Sequence, residues 1–313
     1  MPRNWVQLQK GLSLAGFLER YGTEAACREA LLRWRWPSGF VCPGCGYDGH
    51  CRLQTRPVLQ CHRCHRQTSA TAGTIFAGSK LPLRSWFLAL YLLTQAKNGL
   101  SALSLARQLG VAYNSAWLLK HKLMQVMLEH DRQTPLGGLV QLDDAYWGGR
   151  RRGQRRGRGT AGKIPLLAAV ATDTEQRPQA MRLTPLRSFR QREVNRWAER
   201  HLAPDACIHS DAFAAFADLA DTGRSHRAFV TSGRHGQRQH FHWVDTLLGN
   251  VKNALKGTYH GLRHQHLPRY LAEFGFRFNH RFRLDTIAEQ LGQAAALAPP
   301  LPYRLATLAE PRG

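Results

Sequence analysis

The first part of the chain carries two hydrophobic patterns. Apolar residues recur at helical spacing over residues 1–40 and again over residues 82–130. Residues 41–79, which lie between them, are rich in Cys, Gly, His and Arg and contain only short strand-like pieces. The periodicity therefore predicts two helical segments on either side of a small module with little regular structure.

After Pro135 and the Gly137-Gly138 pair, the pattern changes to that of strands. This change marks a domain boundary, because proline and glycine pairs interrupt regular elements. Strands followed by mixed strands and helices predict a mixed α/β domain. Residues 294–302, rich in Ala and Pro, are expected to form a loose tail. The predicted strands are 139–147, 164–172, 180–186, 207–209 and 229–231, and the predicted helices are 192–201, 212–220, 244–254 and 267–278.

The charge of the chain points to a polyanionic partner. There are 44 Lys and Arg against 21 Asp and Glu, a formal net charge of +23. Such an excess is typical of proteins that bind nucleic acid, and the alternative is a basic protein that merely stays soluble. Charged residues interrupt the first 25 positions, so we expect no secretory signal. The best apolar runs, 86–93 and 164–172, are half the length of a membrane span, so we expect no membrane partner.

Four cysteines have the spacing of a zinc ribbon. Cys42 and Cys45 form one Cys-x-x-Cys pair, and Cys61 and Cys64 form a second. Each pair places two thiolates for a tetrahedral ion, so we expect one structural Zn²⁺ with no coordination position left for chemistry. A redox dithiol is the alternative, and it lacks the thioredoxin-like context. The nearby residues His50, Cys51, His62 and His65 are spare ligands that can replace one of the four.

Residues 101–123 have the sequence pattern of a helix-turn-helix. Ser101 is a predicted N-cap for a helix that runs to Leu109, Gly110-Val111 supplies the turn, and a second helix begins near Tyr113. The second helix is expected to bind DNA, and plain helical packing is the alternative. In this hypothesis Asn114 and Ser115 lie near base edges, and Lys120 or Lys122 lies near phosphate.

A Gly/Arg tract at residues 150–158 is expected to be a mobile loop that binds the DNA backbone without reading sequence. Its cationic side chains are Arg150, Arg151, Arg152, Arg155, Arg156 and Arg158.

Acidic residues are scarce, so their placement is informative. Asp143 and Asp144 follow the mainly apolar strand segment Val140-Gln-Leu142, and Asp211 ends the predicted strand at 207–210. Carboxylates at the ends of two neighbouring buried strands are suited to Mg²⁺, and two such ions can activate a water and stabilise a leaving oxygen. Asp245 opens a predicted helix, and Lys252 lies two turns further on the same face. The alternative is that each Asp is a cap or turn residue.

These segments together resemble the DDE transposases of bacterial insertion sequences that carry an N-terminal zinc ribbon, often called ISXO-type. The resemblance covers about residues 25–285 and implies an RNase H-like catalytic domain that cuts and joins DNA ends with Mg²⁺ or Mn²⁺. The segments that carry it are Phe40-Val-Cys-Pro-Gly-Cys45, Thr68-Ser-Ala-Thr-Ala-Gly-Thr-Ile-Phe76, Leu142-Asp-Asp-Ala-Tyr-Trp-Gly-Gly149, His209-Ser-Asp211, residues 243–252, Gly257-Thr-Tyr-His260, Arg269-Tyr-Leu-Ala-Glu-Phe274 and Arg277-Phe-Asn279.

The resemblance also assigns roles. Asp143 and Asp211 match the first two catalytic acids, and Lys252 matches the basic residue that follows the third. Asp245 stands where relatives have Glu or, in one branch, Asn, so its shorter reach puts the metal geometry in doubt. Glu273 is the alternative source of a third carboxylate, unless it pairs with Arg269 or Arg277 on a helix surface.

The sequence therefore predicts an α+β multidomain chain. Its parts are an N-terminal helical segment (1–40), a zinc ribbon (41–79), a helix-turn-helix region (80–134), an RNase H-like mixed α/β domain (135–290) and a tail (291–313).

The resemblance implies a transposase that binds the terminal inverted repeats of its element as a homodimer or higher oligomer on double-stranded DNA, in the bacterial cytoplasm on the nucleoid. One rival is an inactive or domesticated relative that only binds DNA as a regulator. A second is a metal-dependent nuclease that cuts without joining.

Overall fold

The fold is given by a computed structural model that describes residues 10–148, 163–230, 240–259 and 261–309. The chain divides into two units, one formed by residues 1–127 with 280–313 and the other by residues 128–279. The sequence had placed the corresponding boundaries at 134 and 290. The predicted Gly/Arg loop at 150–158 lies outside the described residues. Within the described parts of the chain, the search for a helix long and apolar enough to cross a membrane finds none.

The first unit begins with two capped helices, α1 (Leu14–Tyr21) and α2 (Glu24–Arg35). The Ser13 hydroxyl accepts from the Gly16 N–H at 3.0 Å, and the Thr23 hydroxyl accepts from the Ala26 N–H at 3.1 Å. Both caps satisfy N–H groups that a helix start leaves without a partner, and each stabilises its helix by about 1 kcal/mol. The helical segment predicted at residues 1–40 is therefore confirmed for the described residues.

A three-stranded antiparallel sheet follows, made of β1 (His50–Arg52), β2 (Val58–Cys61) and β3 (Gln67–Ser69) in that order. Its small core consists of Phe40, Cys42, Leu59 and Cys61, with Trp36 packed against it. This core is too small to stabilise the module by itself. Modules of this kind therefore depend on a bound metal.

The helix-turn-helix predicted at residues 101–123 is present as α4 (Ala102–Leu109) and α5 (Tyr113–Arg132), which follow α3 (Leu83–Gln95). The Ser101 hydroxyl accepts from the Ser104 N–H at 3.1 Å, which confirms the predicted cap. Gly110 ends α4 with φ +64°, a left-handed conformation that glycine adopts without strain.

The expected loose tail is wrong for its described residues. They form α9 (Ile287–Leu297) and α10 (Tyr303–Leu308), and Ala295, Ala296 and Leu301 are buried. α9 packs against α2 and α3. The small residues allow a close approach, because a Cβ at Gly292 would meet the Trp34 ring at 2.4 Å. The Trp34 indole N–H also donates to the Glu289 carboxylate at 3.3 Å.

The second unit is built on a five-stranded mixed sheet, and this confirms the predicted mixed α/β fold. The strand order is β6-β5-β4-β7-β8. β4 pairs antiparallel with β5 and parallel with β7, while β5–β6 is antiparallel and β7–β8 is parallel. The strands are β4 (Leu139–Trp147), β5 (Ile164–Thr172), β6 (Pro178–Pro185), β7 (Cys207–Asp211) and β8 (Ser225–Phe229).

Helices cover this sheet. α6 (Gln191–His201) and a 3₁₀ helix (Ala214–Thr222) share one core with Val140 and Leu142 of β4. Side chains alternate along a strand, so Gln141 and Asp143 point to the opposite face. On that face α7 (His242–Thr258) contacts β4 and β5, and α8 (Leu267–Asn279) contacts β6 and α7.

Candidate metal centres and active site

The four predicted zinc ligands come together in the ribbon. One Sγ atom from each of Cys42, Cys45, Cys61 and Cys64 lies within 4.8 Å of the others. The Cys42–Cys64 and Cys45–Cys61 sulfur pairs are 3.5 Å and 3.6 Å apart. Four thiolates at such separations suit a tetrahedral Zn²⁺. Of the spare ligands, none of His50, Cys51, His62 and His65 belongs to the group found among the described residues.

Backbone N–H groups donate hydrogen bonds to two of these sulfurs. The Gly44 N–H donates to Cys42 Sγ at 3.4 Å, and the Arg63 N–H donates to Cys61 Sγ at 3.4 Å. The Gly44 hydrogen bond is the largest cause that lowers the pKa of Cys42 to about 6. A thiol with a low pKa is a thiolate at neutral pH, which is the form that binds zinc.

A second group is made of carboxylates in the mixed sheet. One oxygen each from Asp143, Asp144 and Asp211 lies within 4.8 Å of the others. Asp211 is the last residue of β7, as predicted, and the parallel pair Leu142↔Ser210 brings it level with Asp143. β4 has the bounds of the predicted strand 139–147, so Asp143 and Asp144 lie inside this strand and do not end it.

Two of these carboxylates are fixed by backbone groups. The Asp144 N–H donates to Asp143 Oδ1 at 2.9 Å, and the Phe213 N–H donates to Asp211 Oδ1 at 3.2 Å. Each bond orients one oxygen of its carboxylate. Asp144 was not among the predicted metal ligands, and its position in the group is a finding of the structure.

The group is electrostatically strained without a cation. The pKa of Asp143 is raised to about 7, first by burial and then by the charges of Asp144, Asp245 and Asp211. Crowded carboxylates hold a proton because like charges disfavour ionisation. A dication supplies the missing positive charge, and carboxylate oxygens are the donors that Mg²⁺ and Mn²⁺ prefer. The residues present therefore fit a hard divalent ion.

Asp245 and Lys252 both lie on α7, in its first turn and two turns further on. Asp245 is exposed and does not belong to the three-carboxylate group, although its charge acts on Asp143. Lys252 is half-buried, and no ion pair or hydrogen bond of its ammonium is found among the described residues. The structure thus brings Asp245 to the neighbourhood of the group and shows no contact of Lys252 with it.

Gln141 connects β4 to α7 and was missed by sequence reasoning. Its side chain is buried, and Oε1 accepts from the Trp243 N–H at 3.0 Å and from the Val244 N–H at 3.2 Å. These are N–H groups at the start of α7 that the helix itself leaves without a partner. Because Asp143 follows two residues after Gln141 and Asp245 follows Val244, the contact fixes the backbone that carries Asp245 against the strand that carries Asp143.

Glu273 is placed away from the carboxylate group. Its Oε2 accepts from the Tyr259 hydroxyl at 2.8 Å, and its Oε1 lies 3.0 Å from Arg277 Nη1. The pairing with Arg277 was foreseen, but the pair is buried in the domain and not on a helix surface. Burial and the Glu273 charge raise the pKa of Tyr259 far above its usual range. Glu273 therefore belongs to a structural network, since a buried acid needs such partners.

In the helix-turn-helix, the two lysines that were predicted to lie near DNA phosphate are buried. Asn114 is exposed and Ser115 is half-buried, which leaves both available to a ligand. Lys120 is fully buried and Lys122 is 7% exposed, with its ammonium 3.3 Å from the Ile75 carbonyl oxygen. The expected phosphate contacts of these lysines are therefore corrected: α5 is buried on all sides from Leu119 to Met127 and has no solvent face there. The arginines of the Gly/Arg tract lie outside the described residues.

Comparison with known proteins agrees with this arrangement. Residues 22–67 match the model of the transposase zinc-ribbon domain, and residues 135–279 match the model of the ISXO2-like transposase domain. A cysteine ribbon followed by a mixed α/β domain with clustered carboxylates is thus the architecture of a transposase. In particular, the chain carries both domains of an ISXO2-like transposase, and the resemblance seen in the sequence is confirmed.

Individual relatives are distant. The chain is 25% identical over 234 residues to an uncharacterized protein in transposable element ISH50 of Halobacterium salinarum, covering 69% of this chain and 76% of the relative. The catalytic core domain of BIV integrase is 14% identical, with TM-score 0.29 over 43% of this chain and 80% of the other. The Mos1 strand transfer complex is 11% identical, with TM-score 0.25 over 63% of this chain and 76% of the other. At such TM-scores the two structural likenesses support no functional argument.

Proposed function

We propose that the protein is a transposase that binds the terminal inverted repeats of an insertion sequence and catalyses Mg²⁺-dependent cleavage and transfer of DNA strands. The observation that carries the proposal is the convergence of Asp143, Asp144 and Asp211 within 4.8 Å on adjacent strands of a transposase domain. Asp245, from α7, is the further carboxylate in this proposal, because its charge already acts on Asp143.

In this proposal Asp143 and Asp211 hold divalent ions, assisted by Asp144 or Asp245. When bound, Mg²⁺ or Mn²⁺ activates the attacking oxygen and stabilises the leaving oxygen of a phosphodiester. The chain's own residues supply fixed geometry, since both principal carboxylates are held by backbone N–H groups. Lys252 is proposed to hold a DNA phosphate, two turns along α7 from Asp245.

The chemistry consists of two exchanges of P–O bonds. Water attacks the phosphodiester at the element end, and the broken bond leaves a free 3′-hydroxyl. That hydroxyl attacks a phosphodiester of the target, so one P–O bond forms as another breaks. Neither exchange consumes a nucleotide cofactor or needs a covalent protein intermediate.

DNA binding is assigned to the N-terminal modules and to basic segments of the second unit. The ribbon and the exposed start of α5, with Asn114 and Ser115, are proposed to recognise the inverted repeats. The arginines at 150–158 are proposed to hold the DNA backbone. Two or more copies of the chain would bring both element ends together.

The test is a strand-transfer assay with the full chain, duplexes carrying the element's terminal repeats, and Mg²⁺ or a chelator. Wild type should nick the ends and yield joined products only with the metal. Asp143→Asn and Asp211→Asn should each slow both steps by about a thousandfold, because several kcal/mol of transition-state stabilisation are lost. Asp173→Asn is the matched control, since this acid binds Arg177 in a surface turn.

The outcomes separate the rivals. Specific binding without any nick would indicate a DNA-binding regulator, and nicks without joined products would indicate a nuclease. Strand transfer by Asp143→Asn at the wild-type rate would contradict the proposed mechanism.

A further inference from the structure

A row of exposed arginines lies along α6. Arg192, Arg196 and Arg200 are spaced four residues apart, which places them on one side of the helix about 6 Å from each other along its axis. The opposite side of α6 is apolar, and Val194, Trp197 and Ala198 are buried in the core of the second unit. Arg187 and Arg190, just before the helix, are exposed as well. We call these five arginines the α6 row.

The row is unfavourable for the helix that carries it. Cations at positions i and i+4 of a helix repel each other and destabilise it. Among the described residues, no ion pair relieves Arg192, Arg196 or Arg200. Glu193 is already engaged, because its carboxylate accepts from the Arg187 and Ser188 N–H groups at 2.8 Å and 3.0 Å. Glu199 and Asp218 line the same surface pocket as Arg192 and Arg196, but neither forms an ion pair with the row among the described residues. A polyanion would remove this repulsion.

The row begins beside the carboxylate group. Phe189, between Arg187 and Arg190, packs edge-on against Tyr146 of β4 and against Phe213, with ring centroids 5.5 Å and 5.7 Å apart. Phe213 is the residue whose N–H donates to Asp211. This aromatic contact places the first arginines of the row near the segments of β4 and β7 that carry the carboxylates. The remaining arginines lie further along α6.

We propose that the α6 row is a second DNA-binding surface, which holds the phosphate backbone of duplex DNA as it runs from the carboxylate group. The inference rests on the proposed function in that DNA is the substrate. Arginine forks bind phosphate oxygens in pairs, and such contacts add affinity without reading bases. The row therefore suits target or flanking DNA of any sequence, whereas the inverted repeats need the base contacts of the N-terminal modules.

The test compares two triple variants of the full chain. Arg192→Gln with Arg196→Gln and Arg200→Gln removes three charges from the row. Arg20→Gln with Arg33→Gln and Arg304→Gln removes three exposed charges from the first unit and is the matched control. Affinity for a short duplex of arbitrary sequence is measured by anisotropy over a range of salt concentrations, and thermal unfolding shows that both variants fold.

The row variant should lose about tenfold in affinity at about 0.1 M salt, and its slope of log K against log salt should fall by about 2 to 3. It should also give fewer joined products per nicked end than wild type. The control should keep most of the wild-type slope and joining. Replacing the same three row residues by Lys should restore much of the slope, because the charge is retained.

The proposal fails if wild type cuts and joins DNA and the row variant matches the control in slope and joining. It also fails if the row variant changes the oligomeric state at an unchanged slope, since the row would then contact a second copy of the chain. A wild type that neither binds nor cuts DNA would contradict the proposed function itself.

Discussion

The zinc ribbon and the carboxylate group are assembled in opposite ways. The ribbon ligands come as two Cys-x-x-Cys pairs. Within each pair, the short separation along the chain is enough to bring the two sulfurs together. The carboxylates come from β4 and β7, which are separated along the chain by β5, β6 and α6. The first group is created when its ion binds, whereas the second is created when the sheet folds. This difference predicts that losing a ligand costs stability in the ribbon and activity in the sheet.

The largest expected effect is at Cys61. Cys61→Ser should reduce bound zinc from about one ion per chain to nearly none and unfold the ribbon, because structural zinc contributes about 10 kcal/mol or more to such modules. Zinc content and limited proteolysis are the measurements. Cys51→Ser is the control, since Cys51 is exposed and outside the group. A fully zinc-loaded Cys61→Ser protein would contradict the assignment.

The second largest effect is expected at Asp143, where losing the carboxylate should raise stability and not lower it as at Cys61. Because its pKa is raised from 3.8 to about 7, wild type without divalent ions should lose stability as pH rises from about 4 and level off above about 7. Asp143→Asn should remove this loss and be more stable than wild type at pH 8, by about 4 kcal/mol. Denaturant unfolding in a chelator measures the difference. Equal stability at both ends of this pH range would refute the crowding of the carboxylates.

The same contrast explains which parts of the fold and of the site could be predicted from the sequence. Ribbon and helix-turn-helix depend on local spacing, so Cys42, Ser101 and Gly110 could be assigned from the residues themselves. Asp143 and Asp211 needed in addition the assumption that their two strands are neighbours in the sheet. Asp144 could not be found in this way, because alternation along a strand predicts that it points away from Asp143.

The remaining misses depend on tertiary packing. Gln141 belongs to no motif, and its role appears only when α7 lies on β4. Lys120 and Lys122 were taken as surface residues because they are charged, but their part of α5 is covered on all sides. The Ala-rich stretch after residue 293 looked loose, whereas its small side chains pack closely in the first unit.

A third, intermediate effect is expected at Gln141. Gln141→Met leaves two buried N–H groups of α7 without an acceptor, which should cost about 1–3 kcal/mol of stability. It should also raise the Mg²⁺ concentration for half-maximal cleavage by about 10- to 100-fold, as seen when supporting residues of metal sites are removed. Asn279→Leu is the control, because the Asn279 side chain likewise accepts a backbone N–H from another element, that of Met181 in β6, at 2.8 Å. Equal Mg²⁺ dependence in both variants would make Gln141 merely structural.

The smallest effect is expected at Lys122. Lys122→Met should leave the affinity for the terminal repeat within about twofold, since a buried ammonium cannot reach phosphate. Asn114→Ala, on the exposed start of α5, should weaken specific binding by about tenfold. Titration of both variants with the repeat and with an unrelated duplex measures the contrast. A larger loss at Lys122 than at Asn114 would show that α5 presents a different face to DNA.

The most direct measurement is the position of Mn²⁺ in crystals of the full chain, located by its anomalous scattering. The account predicts a peak coordinated by both Asp143 and Asp211, which disappears in crystals of Asp143→Asn, while the zinc signal among the four cysteines is unchanged. A wild-type crystal that binds Mn²⁺ only elsewhere, with these two carboxylates in direct contact with protein groups, would contradict the central claim.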